Sequence, residues 1–293
     1  MANLKDIRNS IASVSSTRQI TSAMKMVSAA KLCKSQDAVL KMRPYANKLQ
    51  EVLAEVCSNL DNPNENAFIE QREIKNVLLI VISSNRGLCG AFNSNLFRHT
   101  LHYAKETFPS QFAAGKVHFY CIGKKGADFF KLKNFSVKGS ESDIFSNIKY
   151  TNVTKFAEEF MLKYSLNEYD RIDILYNRFK NAAVQIITTE QYLPVPIHKP
   201  VAGKGSRKFY IFEPNEEEIV NELIPKMLKM QLFKTLLDSF AAEQGARMTA
   251  MHIATDNATI LIHDLKLKYN KVRQSAITKE ILEIVSGANA LKS

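Results

Sequence analysis

A periodic helical pattern opens this 293-residue chain and another closes it, with an α/β-like section between them. Near the C-terminus Met251, Thr255, Ala258, Ile262, Leu265, Tyr269, Val272 and Ala276 recur at alternating steps of four and three, the a/d seam of a coiled coil. Near the start Leu4, Ile7, Ile11 and Val14 follow the same alternation, which then passes into small or polar residues such as Thr21 and Ser28. The seams predict that the two ends pair. Their impurity predicts a modest coiled coil.

The first helix is expected from Asn3 to Asn59, about 85 Å at the usual rise, with a kink or local break at Pro44. Asp61 to Asn66 reads as a loop rich in turn formers. Val77 to Ile82 is a short apolar run of the kind buried on both faces of a sheet. A helix from Ala91 to Glu106 follows, then a strand at Lys116 to Ile122, a turn at Gly123 to Gly126, a short helix through Leu132 and a strand near Phe135 to Val137. Asn152 to Leu166 looks helical, with Asn152 or Thr151 as cap. Arg171 to Phe179 and Val184 to Tyr192 form a hairpin, and Lys208 to Glu213 is a last strand. Pro194 to Pro200 and Ala202 to Ser206 mark an exposed loop. The final helical region begins around Asn215. Pro225 sits in the first turn of its longer stretch, Gly245 is an isolated cost of about 1 kcal/mol, and Gly287 suits a C-terminal stop.

This order predicts an α/β fold: a long antiparallel coiled coil of the N- and C-terminal helices with an inserted Rossmann-like mixed-sheet domain. Residues 1–60 and 215–293 are assigned to the rod and 61–214 to the globular domain. A hydrophobic fraction of 45% supports a real core, and no run of eighteen apolar residues exists to span a membrane. The Ser-rich, basic N-terminus carries Asp6 and keeps its period, so it reads as mature structure, not a presequence. Cys33, Cys57, Cys89 and Cys121 form no metal or redox pair and fit free thiols in a reducing compartment.

Net charge is +11 and concentrates on the proposed rod, which points to acidic protein surfaces or nucleic acid as neighbours. The search for chemistry is largely negative: there is no phosphate loop, no H-E-x-x-H, no CxxC and no nucleophile elbow. No catalytic, cofactor or metal residues are assigned. The segment Ser84 to Asn93 follows a buried strand, where α/β sheets keep their ligand crevice. Arg86, Gly87, Cys89 and Gly90 are read there as a structural turn whose two glycines permit a tight reversal, with Cys89 placed to have a lowered pKa near a helix start. His99 and His102 share a helix face without an evident third group.

Four separated motifs carry a family resemblance. They are Ile20 to Val27 with Lys31 and Lys34 to Asp37, Asn85 to Asn93, Glu243 to Met248 with Ala254 to Asn257, and Tyr269 to Ile281 ending in Glu283 to Gly287. Over essentially its whole length the chain resembles the gamma subunits of bacterial F-type ATP synthases. The resemblance implies a central-stalk rotor without a catalytic site or cofactor of its own. Its shaft would stand in a hexamer of alpha and beta subunits, and its foot near the epsilon subunit and the membrane ring of c subunits, on the cytoplasmic side of the bacterial plasma membrane. It further implies that Arg273, Gln274, Thr278 and Glu280 meet the surrounding alpha and beta subunits, and that Lys25, Lys31, Lys34, Lys266 and Lys271 face an acidic segment of beta. Two readings of other classes compete: a basic coiled-coil scaffold or nucleic-acid-binding protein, which lacks a recognition helix or stacking strip, and an enzyme using the central domain.

Overall fold

The computed structural model describes residues 4–59, 67–196 and 216–290. Helix α1, Leu4–Asn59, leads into strand β1, Val77–Ile82. Helices α2, Phe92–Thr107, and α3, Pro109–Ala113, precede β2, Val117–Ile122. Then come α4, Lys124–Leu132, β3, Val137–Glu141, and α5, Tyr150–Ser165. The hairpin of β4, Arg171–Phe179, and β5, Gln185–Leu193, precedes α6, Glu216–Ala290. The strand expected at Lys208 to Glu213, the turn-rich segment before residue 67 and most of the loop after Pro194 lie outside the described residues.

The chain divides into two units, Met1–Ser28 with Met248–Ser293, and Ala29–Arg247. Both division points fall inside helices. The sequence division at 60/61 and 214/215 instead follows a change of element type.

In the first unit α1 and α6 run antiparallel, as the pairs Arg8 with Tyr269, Thr21 with Thr255 and Lys25 with His252 require. Ile7, Thr21, Ser28, Met251, Ala258 and Ile262 are buried there. The alternation in α1 continues well past Val14. From Leu4 through Arg18, Thr21, Lys25, Ser28, Leu32, Ser35 and Val39 to Val56, each successive three- or four-residue step lands on a buried or half-buried position. Thr21 and Ser28 are seam members, as the spacing predicted. At the other end the seam closes earlier than expected: Ala276 is exposed, as is every residue from Arg273 to Asn289.

The second unit is built on a five-stranded sheet of order β3-β2-β1-β4-β5, parallel except for the β4–β5 hairpin. Alternate residues of β1 serve opposite cores, which explains its unbroken apolar run. Leu78, Ile80 and Ile82 pack with α5, α1 and the start of α6. Val77, Leu79 and Val81 pack with α2 and α4.

Several local expectations fail for tertiary reasons. Helix α1 runs through Pro44 without a break, and α6 starts at Glu216, so that Pro225 lies inside it and not in its first turn. Each proline removes a backbone donor, but buried neighbours, Ala46 in one case and Ile224, Met227 and Leu228 in the other, hold the flanking turns. Gly287 does not stop α6, which reaches Ala290. Strand β3 begins where the sequence ended it, because its edge residues Val137–Glu141 alternate half-buried and exposed without an apolar signature. Lys149 occupies the N-cap of α5 with no side-chain hydrogen bond, so neither Thr151 nor Asn152 caps it.

Candidate functional site

The strand order reverses between β1 and β4, and in an open α/β sheet the crevice beyond the carboxyl ends at such a point is where ligands bind. Here the protein's own helix fills that space. Ser239 Oγ donates to the carbonyl of Ile82, the last residue of β1, at 3.4 Å. Arg43 donates to the carbonyl of Phe179, the last residue of β4, at 2.8 Å and to Asp238 Oδ1 at 2.9 Å. A β-carbon on Gly245 would lie 3.1 Å from the Ala182 carbonyl oxygen, so glycine lets the loop after β4 close onto the helix. From Thr235 to Arg247 only Phe240 and Ala246 escape full burial.

Arg247 completes the arrangement. Its guanidinium donates to the carbonyls of Gly87 and Arg86, the latter at 3.2 Å, and to Glu243 Oε1 at 2.5 Å. Burial pushes the Glu243 carboxyl above its ordinary pKa, against the lowering effect of Arg247 and, more weakly, Lys31 and Arg86. Burial likewise raises Asp238 against the opposing pull of Arg43, and Asp238 Oδ2 has no hydrogen-bond partner among the described residues. Sequence reasoning passed over Arg43, Asp238 and Ser239 because on a helical pattern they look like ordinary surface residues.

The turn after β1 is organised by Asn93. Its amide donates to Ser84 Oγ at 2.7 Å and to Cys89 Sγ at 3.3 Å, while its oxygen accepts from the Ser84 N–H at 3.1 Å. Gly90 has φ of 61°, but the second left-handed residue is Leu88, with φ of 65°, not Gly87. Cys89 is buried and its thiol pKa is raised by that burial, the reverse of the lowering expected from a helix start. His99 meets Thr189 and His102 meets Glu106, each at 3.3 Å, so the two serve separate contacts. At Gly123, with φ of 111°, a β-carbon would lie 2.1 Å from the Ser83 carbonyl oxygen. Ser83 Oγ accepts from the Gly126 N–H at 2.9 Å, and the glycine-lysine segment between β2 and α4 is filled by this packing. Among the described residues no group of three or more His, Cys, Asp or Glu is placed to hold a metal ion.

In the first unit Arg273, Gln274, Thr278 and Glu280 are all exposed, and Gln274 and Thr278 share a face with Lys271. Lys266 and Lys271 are exposed. Lys25 is half-buried on the seam, 3.3 Å from His252 Nδ1, which itself lies 3.4 Å from Asp256. Lys31 and Lys34 belong to the second unit and are exposed. Of these nine residues seven belong to the first unit and two, Lys31 and Lys34, to the second. The exposed end of α6 also carries Ile277, Ile281, Leu282, Ile284 and Val285, each about half exposed or more.

Residues 3–291 match the family model described as ATP synthase. The ATP synthase gamma chain of Flavobacterium psychrophilum is 57% identical over 294 residues, covering all of both chains. The chain belongs to the ATP synthase gamma-chain family. The gamma chain of Cytophaga hutchinsonii is 49% identical, again over both full lengths. A chain in the central stalk and c-ring structure of Tetrahymena thermophila mitochondrial ATP synthase is 25% identical, with a TM-score of 0.59 over 80% of this chain and 99% of that one. A rotor chain from Euglena gracilis mitochondrial ATP synthase shares the fold, with a TM-score of 0.67 over 94% and 98% of the two chains at 20% identity. As a gamma-chain family member it is the central-stalk subunit that couples c-ring rotation to the catalytic cycle of the alpha and beta subunits, and it carries no catalytic site of its own.

Proposed function

We propose that torque leaves this chain through the exposed end of α6. The observation that carries this reading is the stretch from Arg273 to Asn289, exposed throughout yet set with Ile277, Ile281 and Ile284. A lone helix holding that much carbon in water gains by entering a sleeve of other subunits. Arg273 supplies a rigid fork of donors, Gln274 and Thr278 supply neutral hydrogen bonds, and Glu280 supplies a charged acceptor toward the alpha and beta subunits. Lys266, Lys271, Lys31 and Lys34 act as flexible point charges along an acidic beta surface. Lys25 is a weaker member of that set, since it is engaged with His252.

In this reading residues 1–60 and 215–293 serve as shaft and 61–214 as foot. The foot meets the epsilon subunit and the c ring, and the assembled complex sits at the cytoplasmic side of the bacterial plasma membrane. Among the described residues no helix is long and apolar enough to cross a membrane. The test is co-purification with alpha and beta subunits, followed by ATP hydrolysis with the full chain and with a chain ending at Val272. Shortening is expected to weaken assembly and torque while leaving the sheet domain folded. Equal assembly and turnover with both chains would overturn the proposed role of the end of α6.

A further inference from the structure

A rotor must convert force on its sheet domain into rotation of its helices, and that demands a place where the helix cannot slip. Apolar packing alone is a poor candidate, because dispersion contacts are non-directional and allow sliding at modest cost. Directional hydrogen bonds and ion pairs fix the angle of a helix about its own axis. In the second unit such contacts reach α6 at Leu228 to Lys234, from Tyr192, Glu158, Glu190 and Gln191, and again from Asp238 to Arg247, where the charged groups themselves are buried. In the latter stretch Asp238 meets Arg43, Ser239 meets the carbonyl that ends β1, Gly245 packs on Ala182 after β4, and Arg247 meets the turn after β1 while Glu243 holds it from within the helix. At 3.6 residues per turn they spread over roughly 200° of the helix circumference, so the grip opposes both rotation and tilt. The charges are buried, which adds little net stability compared with well-packed carbon but does specify orientation.

Resting on the rotor assignment and deepening it, we propose that Asp238–Arg247, lodged in the crevice where other α/β domains bind ligands, is the torque joint of this subunit, with Arg247 as the positioning residue that locks the helix to the carbonyls of Arg86 and Gly87. Arg247 lies at the last residue of the second unit, and α6 continues from there into the coiled coil. The joint acts by holding the helix angle.

The test uses the complete ATP synthase complex in sealed vesicles and reads the ions pumped per ATP hydrolysed. Arg247→Met keeps the bulk and removes the fork of donors. It is expected to lower the pumping ratio about threefold, a coupling effect of ordinary size. Arg247→Lys is expected to fall between Arg247→Met and the unsubstituted chain, and it carries the test alone where the methionine variant does not assemble. The exchange Glu243→Arg with Arg247→Glu preserves an intrahelical pair but no donor to the turn, and is expected to stay as poorly coupled as Arg247→Met. An unchanged ratio in Arg247→Met, an equal fall in hydrolysis and pumping, or recovery in the exchange variant would each overturn the joint. Failure of the unsubstituted chain to restore pumping to a depleted complex would instead overturn the rotor assignment itself.

Discussion

Strand β1 of the sheet unit has no residue more than 1% exposed, whereas the coiled-coil unit buries Thr21 and Ser28 beside Ile7 along one narrow stripe. One unit is held by carbon packed on two faces, the other by a seam where hydroxyls and small residues alternate with a few large ones. Thr21 and Thr255 join their hydroxyls at 2.8 Å across that seam. The difference teaches that stiffness and adhesion are separate properties here. Backbone hydrogen bonds make each helix stiff, while the thin seam holds the two together with little apolar area per turn.

The contrast breaks first under truncation of carbon. Ile80→Ala should cost the sheet unit about 2 to 5 kcal/mol, while Ile7→Ala should cost the coiled coil about 1 to 2 kcal/mol. Hydrogen exchange followed region by region would measure both, and equal losses would erase the distinction. Next in size is Arg43→Met, which strands the fully buried Asp238 and should cost about 3 kcal/mol, the low end for a broken buried pair because Arg43 is 34% exposed. Replacing Asp238 by Leu as well should recover most of that loss.

The same variant has a pH signature. Asp238 already has a raised carboxyl pKa in the folded chain, and losing Arg43 removes an influence that lowers it. A raised folded pKa means that its favourable contribution is present at low pH and lost as pH rises through that pKa. Arg43→Met should therefore regain stability on mild acidification relative to the unsubstituted chain, as denaturant midpoints at two pH values would show. A flat difference would mean that Asp238 is not the stranded charge.

Smaller still is the seam pair. Thr21→Val or Thr255→Val alone should cost about 1 kcal/mol by removing the hydroxyl–hydroxyl bond and leaving the partner only its own helix carbonyl, and the double substitution should cost little more. Additive losses would sharpen the comparison by showing that the hydroxyls act separately, each through its own helix carbonyl. The least perturbing measurement is thiol alkylation at pH 8, mapped by mass spectrometry. Cys33 is exposed, whereas burial pushes the Cys121 thiol to about 12 and raises Cys89 as well. Cys33 should react first among these three, and rapid labelling of Cys121 in the folded chain would contradict the buried sheet.

Element order was legible in the chain because it rests on local period. The run Val77–Ile82 announced a strand buried on both faces, and the spacing from Met251 to Val272 announced a coiled-coil seam. The passage of the first seam into Thr21 and Ser28 was legible too, but its continuation through Ser35 was not, since an apolar pattern does not register small hydroxyl residues that a close helix approach can bury. The break offered at Pro44 and the helix start placed near Pro225 were wrong for the opposite reason: a proline's local cost is real, and distant packing overrides it. The residues resembling those of the family at the end of α6 were named from the sequence, but the buried grip of Asp238, Glu243 and Arg247 was not. Charges four residues apart on a helix ordinarily mark a solvated face.

The sequence by itself determined that two long helices flank a mixed-sheet domain and that the chain belongs with rotor subunits, because periodicity, steric punctuation and ordered motifs are carried by neighbouring residues. Only the tertiary structure decided that α6 fills the sheet's crevice and that Arg247 binds the carbonyls after β1. Those facts depend on which surfaces meet across some 160 residues of chain, and burial reverses the meaning of a charge that looks exposed in a linear pattern.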